Sequence, residues 1–93
     1  MRILGPEERR AERVRLFEEL GSSGLGLGET VRRLRRITGL TQKDFAARIA
    51  GISTPALAQI ERGEANPTLE TLQKIGKAFG LDVGFVRKPP APG

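Results

Sequence analysis

Glycine and hydroxyl residues punctuate the chain at short intervals. Glycines at positions 39, 51, 63 and 80 each follow a segment of helical periodicity, and Thr41, Ser53 and Thr68 precede the segments that come next. Glycine readily takes the left-handed conformation that ends a helix, and a serine or threonine hydroxyl can accept from an orphan N–H at the next start. Helices joined by such short turns must pack against their neighbours, which predicts one compact helical bundle over residues 28–80.

Within each segment the apolar residues fall at helical spacing. In "GETVRRLRRIT", 28–38, Val31, Leu34 and either Ile37 or Thr38 make the buried side. "TQKDFAARIA", 41–50, has Thr41 as N-cap, Asp44 as a weak substitute for the capping-box glutamate, and Phe45, Ala46 and Ile49 facing inward. In "STPALAQIER", 53–62, Ser53 is the N-cap, Pro55 is tolerated in the first turn, and Leu57 and Ile60 point inward. After the turn "GEANP", the helix 68–80 is expected to bury Leu69, Leu72, Ile75 and Phe79.

Two segments flank this bundle. "PEERRAERVRLFEEL" predicts an extra helix over 6–20, with Pro6 at its start, Glu7 and Glu8 complementing the positive end, and Gly21 as a stop. Its expected packing stripe is Ala11, Val14, Phe17 and Leu20, broadened by Leu16, and "GSSGLGLG" is a flexible joint. That helix is either a cap on the bundle, a dimer contact or a surface for a protein partner. After Gly80 the period changes, with Leu81, Val83 and Phe85 alternating with Asp82, Gly84 and Val86. This reads either as a short β-strand whose open edge pairs with a second copy, or as an extended tail on the core. The proline-rich "RKPPAPG" is expected to be disordered. The fold class is therefore all-α, with a candidate short C-terminal β-strand.

Composition narrows the chemistry. With no cysteine and no histidine, the chain lacks thiolate nucleophiles, imidazole bases and the usual zinc ligands. Tyrosine is also absent. "GLGLGE" lacks the third glycine of a dinucleotide fingerprint, and no strand clearly precedes it. Neither an enzyme nor a cofactor or metal is expected. No apolar run approaches the roughly 18 residues of a membrane span, and "MRILGPEERR" becomes charged before a signal peptide can form. A cytoplasmic protein without a membrane partner is the expectation. The net charge of +5 is uneven: residues 1–28 balance five arginines with five glutamates, whereas 29–93 hold eleven basic and six acidic residues. Clustered positive charge suits a polyanion, although a solvated basic surface has the same composition.

A helix-turn-helix needs two helices meeting steeply, a small residue at their contact, a glycine favouring the turn, and an apolar anchor beneath the second helix. Ala46, Gly51, Leu57 and Ile60 supply these. With "GLTQ", "GIS", "IERG" and the P-x-L-x-T-L-x-K-I run, residues 27–81 resemble the phage-repressor and Cro type of helix-turn-helix, the xenobiotic-response-element (XRE) family. The resemblance implies a lambda-repressor-like DNA-binding domain over 27–81. The N-terminal helix and joint then occupy 1–26, and a strand-like dimerisation segment with a flexible tail occupies 82–93.

The resemblance also implies roles. Gln42 corresponds to a phosphate-anchoring glutamine, Ser53, Thr54, Ala56 and Gln59 fall where the reading helix meets bases or the adjoining backbone, and Arg35 and Glu61 match a structural ion pair. By its chemistry Gln59 can engage adenine N6 and N7 together, Thr54 and Ala56 can meet a thymine methyl, and Pro55 adds shape or apolar contact. Lys43, Arg62 and Asn66 are candidate phosphate contacts, while Arg32, Arg33 and Arg36 face DNA, solvent or acidic groups. So thin a base code calls for two half-sites on a homodimer, with Leu81, Val83 and Phe85 as candidate dimer contacts. The expected function is a dimeric, nucleoid-associated repressor of bacterial, phage or plasmid origin. The alternative is an antitoxin that binds a toxin protein and represses its own operon. One departure stands out. The family places five steps between the apolar residue of its Q-x-x-apolar-A pattern and the turn glycine, whereas Phe45 and Gly51 are six apart. The extra residue should appear as a longer helix or turn just before Gly51.

Overall fold

The computed structural model describes residues 4–22, 25–85 and 87. Five helices follow one another: α1 Pro6–Ser22, α2 Leu27–Thr38, α3 Gln42–Phe45, α4 Thr54–Glu61 and α5 Leu69–Ala78. A π-helical turn, Ala46–Ala50, continues directly from α3. The expected caps form. The Thr41 hydroxyl accepts from the Asp44 N–H at 3.1 Å, that of Ser53 from Ala56 at 3.2 Å, and that of Thr68 from Thr71 at 3.1 Å. Gly39, Gly51, Gly63 and Gly80 all have positive φ, which an L side chain adopts only with strain.

The core gathers Val31, Leu34 and Ile37 of α2, Phe45 of α3, Ala46 and Ala50 of the π turn, Leu57 and Ile60 of α4, and Ile75 and Phe79 around α5. Leu16 of α1 enters it fully buried. Three of the expected inward positions are corrected, among them Leu72, which is only half-buried and stays outside the core. Leu69 is exposed, about a quarter-turn off the buried line of α5, and Thr71 and Gly76 are buried instead. Ile49 only lies against the core's edge.

The expected stripe of α1 is also corrected: Val14 is 59% exposed, Leu20 37%, and Ala11 is exposed. Steps of three residues drift by about 60° each at 3.6 residues per turn, so Ala11 and Leu20 end on opposite sides. The face that meets α2 is instead Glu12, Leu16 and Glu19, whose steps of four and three stay together. Buried Arg33 of α2 bonds Glu19, and its Nε lies 3.5 Å from Glu12. α1 also runs past Gly21, the expected stop, to Ser22.

The extra residue before Gly51 is absorbed by the π turn. The carbonyl of Ala46 accepts from the N–H of Gly51, five residues on, and from that of Ile52 at 3.1 Å. One residue more than an α-turn holds is thereby fitted between fixed points. Phe45, Ala46 and Ala50 stay buried, Ala47 and Arg48 are exposed, and Gly51 keeps its left-handed turn.

At the other end, Leu81 donates its N–H to the Gly76 carbonyl at 2.8 Å and packs against the core. No β-strand occurs among the described residues, and residues 82–85 are an exposed segment without regular structure. Val86 and the tail at 88–93 lie outside the described residues, as do Ser23 and Gly24 of the expected joint.

Candidate nucleic-acid interface

Leu57 and Ile60, three residues apart, fix α4 to the core from beneath. The opposite side carries Pro55 and Gln59, both exposed and one helical turn apart, with Thr54 and Ala56 half-buried beside them. Of the four candidate base contacts, Pro55 and Gln59 thus face outward from α4, while Thr54 and Ala56 lie on its flanks. Ser53 stands at the N-cap. Its oxygen accepts from Ala56, and a hydroxyl so used still has its own proton to donate.

A buried polar network sets the angle of this helix. Arg35 of α2 donates from Nε to Glu61 Oε2 at 2.8 Å and from Nη2 to Oε1 at 3.0 Å. Its Nη1 reaches the Leu40 carbonyl at 3.3 Å. The two side chains are 2% and 3% exposed, so the pair is desolvated and two-pronged. Gln42, at the start of α3, donates from Nε2 to Glu61 Oε1 at 3.2 Å. One carboxylate therefore joins α2, α3 and the end of α4. An amide carries two N–H donors, so this bond leaves one available on Gln42.

A backbone contact reinforces the joint. A Cβ placed on Gly28 would lie 2.4 Å from the Ile60 carbonyl oxygen and 3.2 Å from that of Glu61. Only glycine lets the first turn of α2 come so near the end of α4. The approach also sets the positive end of one helix against the negative end of another.

The candidate phosphate contacts are unequal. Lys43 and Asn66 are exposed. Arg62 is exposed too, but its guanidinium holds Glu64 at 2.8 Å. That hydrogen bond, and then the opposite charge, raises Arg62 above its ordinary pKa and lowers Glu64 below its own. Of the ambiguous arginines, Arg33 is buried against Glu12 and Glu19 and does not reach the surface that α4 presents. Arg32 pairs with Glu29 at 2.7 Å, which raises its pKa through that hydrogen bond and then the charge. Arg36 is half-buried without an ion pair among the described residues. The structure thus brings Gln42, Arg35 and Glu61 into direct contact, and leaves Leu81 on the core while Val83 and Phe85 are exposed.

The sequence reading missed Gly28 and the clamp of Arg33 by Glu12 and Glu19. The seven-residue spacing of those glutamates around Leu16 was a usable signal for the clamp. Nothing local marks Gly28. Among the described residues no group of acidic side chains is arranged to hold a metal ion, and no helix is long and apolar enough to cross a membrane.

The helix-turn-helix family model matches residues 31–86. The chain is 47% identical over 57 residues to the HTH-type transcriptional regulator DdrOP3 of Deinococcus deserti, covering 61% of this chain and 43% of that protein. It is 32% identical over 74 residues to the HTH-type transcriptional regulator PuuR of Escherichia coli, covering 78% of this chain and 40% of that one. An immunity repressor protein of Bacillus phage phi105 is 35% identical over 60 residues, covering 64% and 41%. The chain therefore spans about two fifths of the length of these relatives. No solved structure matches it.

Proposed function

The chain belongs to the helix-turn-helix family, in its XRE or phage-repressor branch, and from that premise we propose that it is a DNA-binding transcriptional regulator acting as a dimeric repressor. The observation that carries this reading is α4 itself. It is anchored by Leu57, Ile60 and Glu61 and offers Pro55 and Gln59 outward, with Gln42 and Lys43 at the adjoining start of α3. Such a helix enters the major groove while its predecessor crosses the backbone. Gln59 reads adenine, Thr54 and Ala56 meet thymine methyl groups, and Ser53, Gln42, Lys43, Arg62 and Asn66 hold phosphates.

One bidentate contact discriminates by roughly 1–3 kcal/mol, too little for an operator, so two protomers bind half-sites about one helical turn apart. Phe85, fully exposed, and Val83, 41% exposed, support the segment after Leu81 as the dimer contact. The relatives named as regulators and as a phage repressor support the same reading.

Fluorescence anisotropy on duplexes from the gene's own upstream region, set against scrambled duplexes, tests the proposal. Tighter binding to the upstream DNA is expected, together with a selective loss of that preference in Gln59→Ala. Equal affinity for both duplexes removes the repressor reading. Truncation after Leu81, which spares the core contact of that residue, should yield monomers by light scattering. A dimer that persists moves the interface elsewhere.

The antitoxin reading is favoured by one feature, the outward apolar side chains of α1 at Val14 and Leu20. An adjacent toxin reading frame whose product co-purifies with the chain would select it; without one, that reading falls.

A further inference from the structure

By count, residues 1–28 are electrically neutral, but the fold separates their charges. At about 100° per residue, Arg9, Arg13 and Arg10 occupy a single arc of roughly 100° on α1, and none of that helix's glutamates falls within it. Glu12 and Glu19 face Arg33 of α2, and Glu12 also meets Arg15 on the opposite flank at 3.4 Å. Glu8 is turned back on the chain, its Oε1 accepting from the Gly5 N–H. Arg9, Arg10 and Arg13, with Pro6, therefore line a shallow cleft over Ile37, at the last turn of α2. Among the described residues none of the three makes an ion pair. Arg9 donates to the Leu4 carbonyl at 3.1 Å, and Arg13 lies 5.0 Å from the centre of the Phe17 ring.

The position of the cluster gives it a partner. Arg9 Nη1 is 3.0 Å from the point that a Cβ on Gly39 would occupy. Gly39 precedes Gln42 by three residues, a reach of at most about 11 Å. DNA phosphates succeed one another at about 3.4 Å of rise per strand, so Arg9 lies within a few phosphates of the start of α3, and Arg10 and Arg13 line the same cleft. We propose that Arg10 and Arg13, held there with Arg9, form an accessory phosphate clamp that extends the DNA contact from α3 onto α1. This rests on the DNA-binding reading above but concerns a helix to which that reading gives no part. The contact is with backbone alone, because the side chains are arginines on a helix flank with no groove-entering element beside them.

The test uses the full chain and a fluorescein-labelled 30-base-pair duplex of mixed sequence, with affinity measured across a salt series. Each phosphate neutralised contributes about 0.9 to the slope of log K against log salt. R10Q/R13Q should flatten the slope by about 1.8 for each protomer bound, with its circular dichroism spectrum and melting temperature unchanged. R15Q removes one charge from the opposite flank, and its slope should match the wild type. If the wild type binds and R10Q/R13Q keeps the wild-type slope, the clamp is refuted while DNA binding stands; the arginines then serve another acidic partner. A comparable flattening in R15Q also refutes it, since net charge rather than position would be the cause. A wild type that binds no duplex removes both proposals.

Discussion

Replacing Glu61 by glutamine keeps the shape of the side chain and takes away its charge. In the folded protein that leaves Arg35, 2% exposed, facing an amide in place of a two-pronged carboxylate partner. Breaking a buried pair on one side costs about 3–5 kcal/mol, because the remaining charge is stranded away from water. Domains of this kind hold about 5–15 kcal/mol in all, so Glu61→Gln should remove a large share. With a urea slope near 1 kcal/mol per molar, expected at the small end of the size range, the midpoint should fall by about 3–5 M. The companion variant Arg35→Met/Glu61→Leu removes both charges and should return to within about 1 kcal/mol of the wild type or exceed it. Far-UV circular dichroism in urea measures all three. A shift below about 0.5 M in Glu61→Gln, or a double variant weaker than the single one, would falsify the view that a stranded charge sets the cost.

Three further outcomes are expected. Gly28→Ala should lower the melting temperature although alanine is favoured in helices by about 1 kcal/mol. Its Cβ would press to 2.4 Å on the Ile60 carbonyl, and such overpacking costs about 1–3 kcal/mol; a stabilised variant would contradict the contact. Leu16→Ala should cost about 2–5 kcal/mol in urea unfolding because Leu16 is fully buried, whereas Val14→Ala, 59% exposed, should stay within about 0.5 kcal/mol. Similar losses at both sites would overturn the assigned packing face of α1. Carbon-detected NMR titration should find Glu64 below the ordinary glutamate range, and Arg62→Gln should raise it. Because the folded pKa is lowered, the pair favours the fold above that ordinary range and weakens as pH falls through the lowered value. Both side chains are exposed, so a titration that Arg62→Gln leaves unmoved would mean that the pair is not held in solution.

Within the bundle, local chemistry settled much of the fold in advance. Ser53 and Thr68 cap because their hydroxyls lie within reach of N–H groups three residues on, and Gly39 and Gly80 end helices because left-handed backbone favours glycine. Leu57 and Ile60 were legible as the anchors of α4, whereas the facing of Arg35 toward Glu61, 26 residues apart, was implied only by the family resemblance. The six-step interval from Phe45 to Gly51 required a distortion before the turn. Only the tertiary structure gave it the form of a π turn, since Phe45 and Ala50 had to remain buried on either side of it.

What the sequence determined alone was therefore whatever depends on neighbours along the chain: caps, stops, periods and the total charge. Tertiary structure decided which face of α1 is inside, because that depended on Arg33 of another helix rather than on the apolar count in α1. It decided that Gly28 must be glycine, since the obstacle is a carbonyl more than thirty residues away. And it decided where the charge of a neutral segment lies, because Glu12 and Glu19 are drawn inward to Arg33 while Arg10 and Arg13 are left lining a cleft over Ile37, at the last turn of α2. A sum of charges is fixed by composition; a field depends on which of them meet.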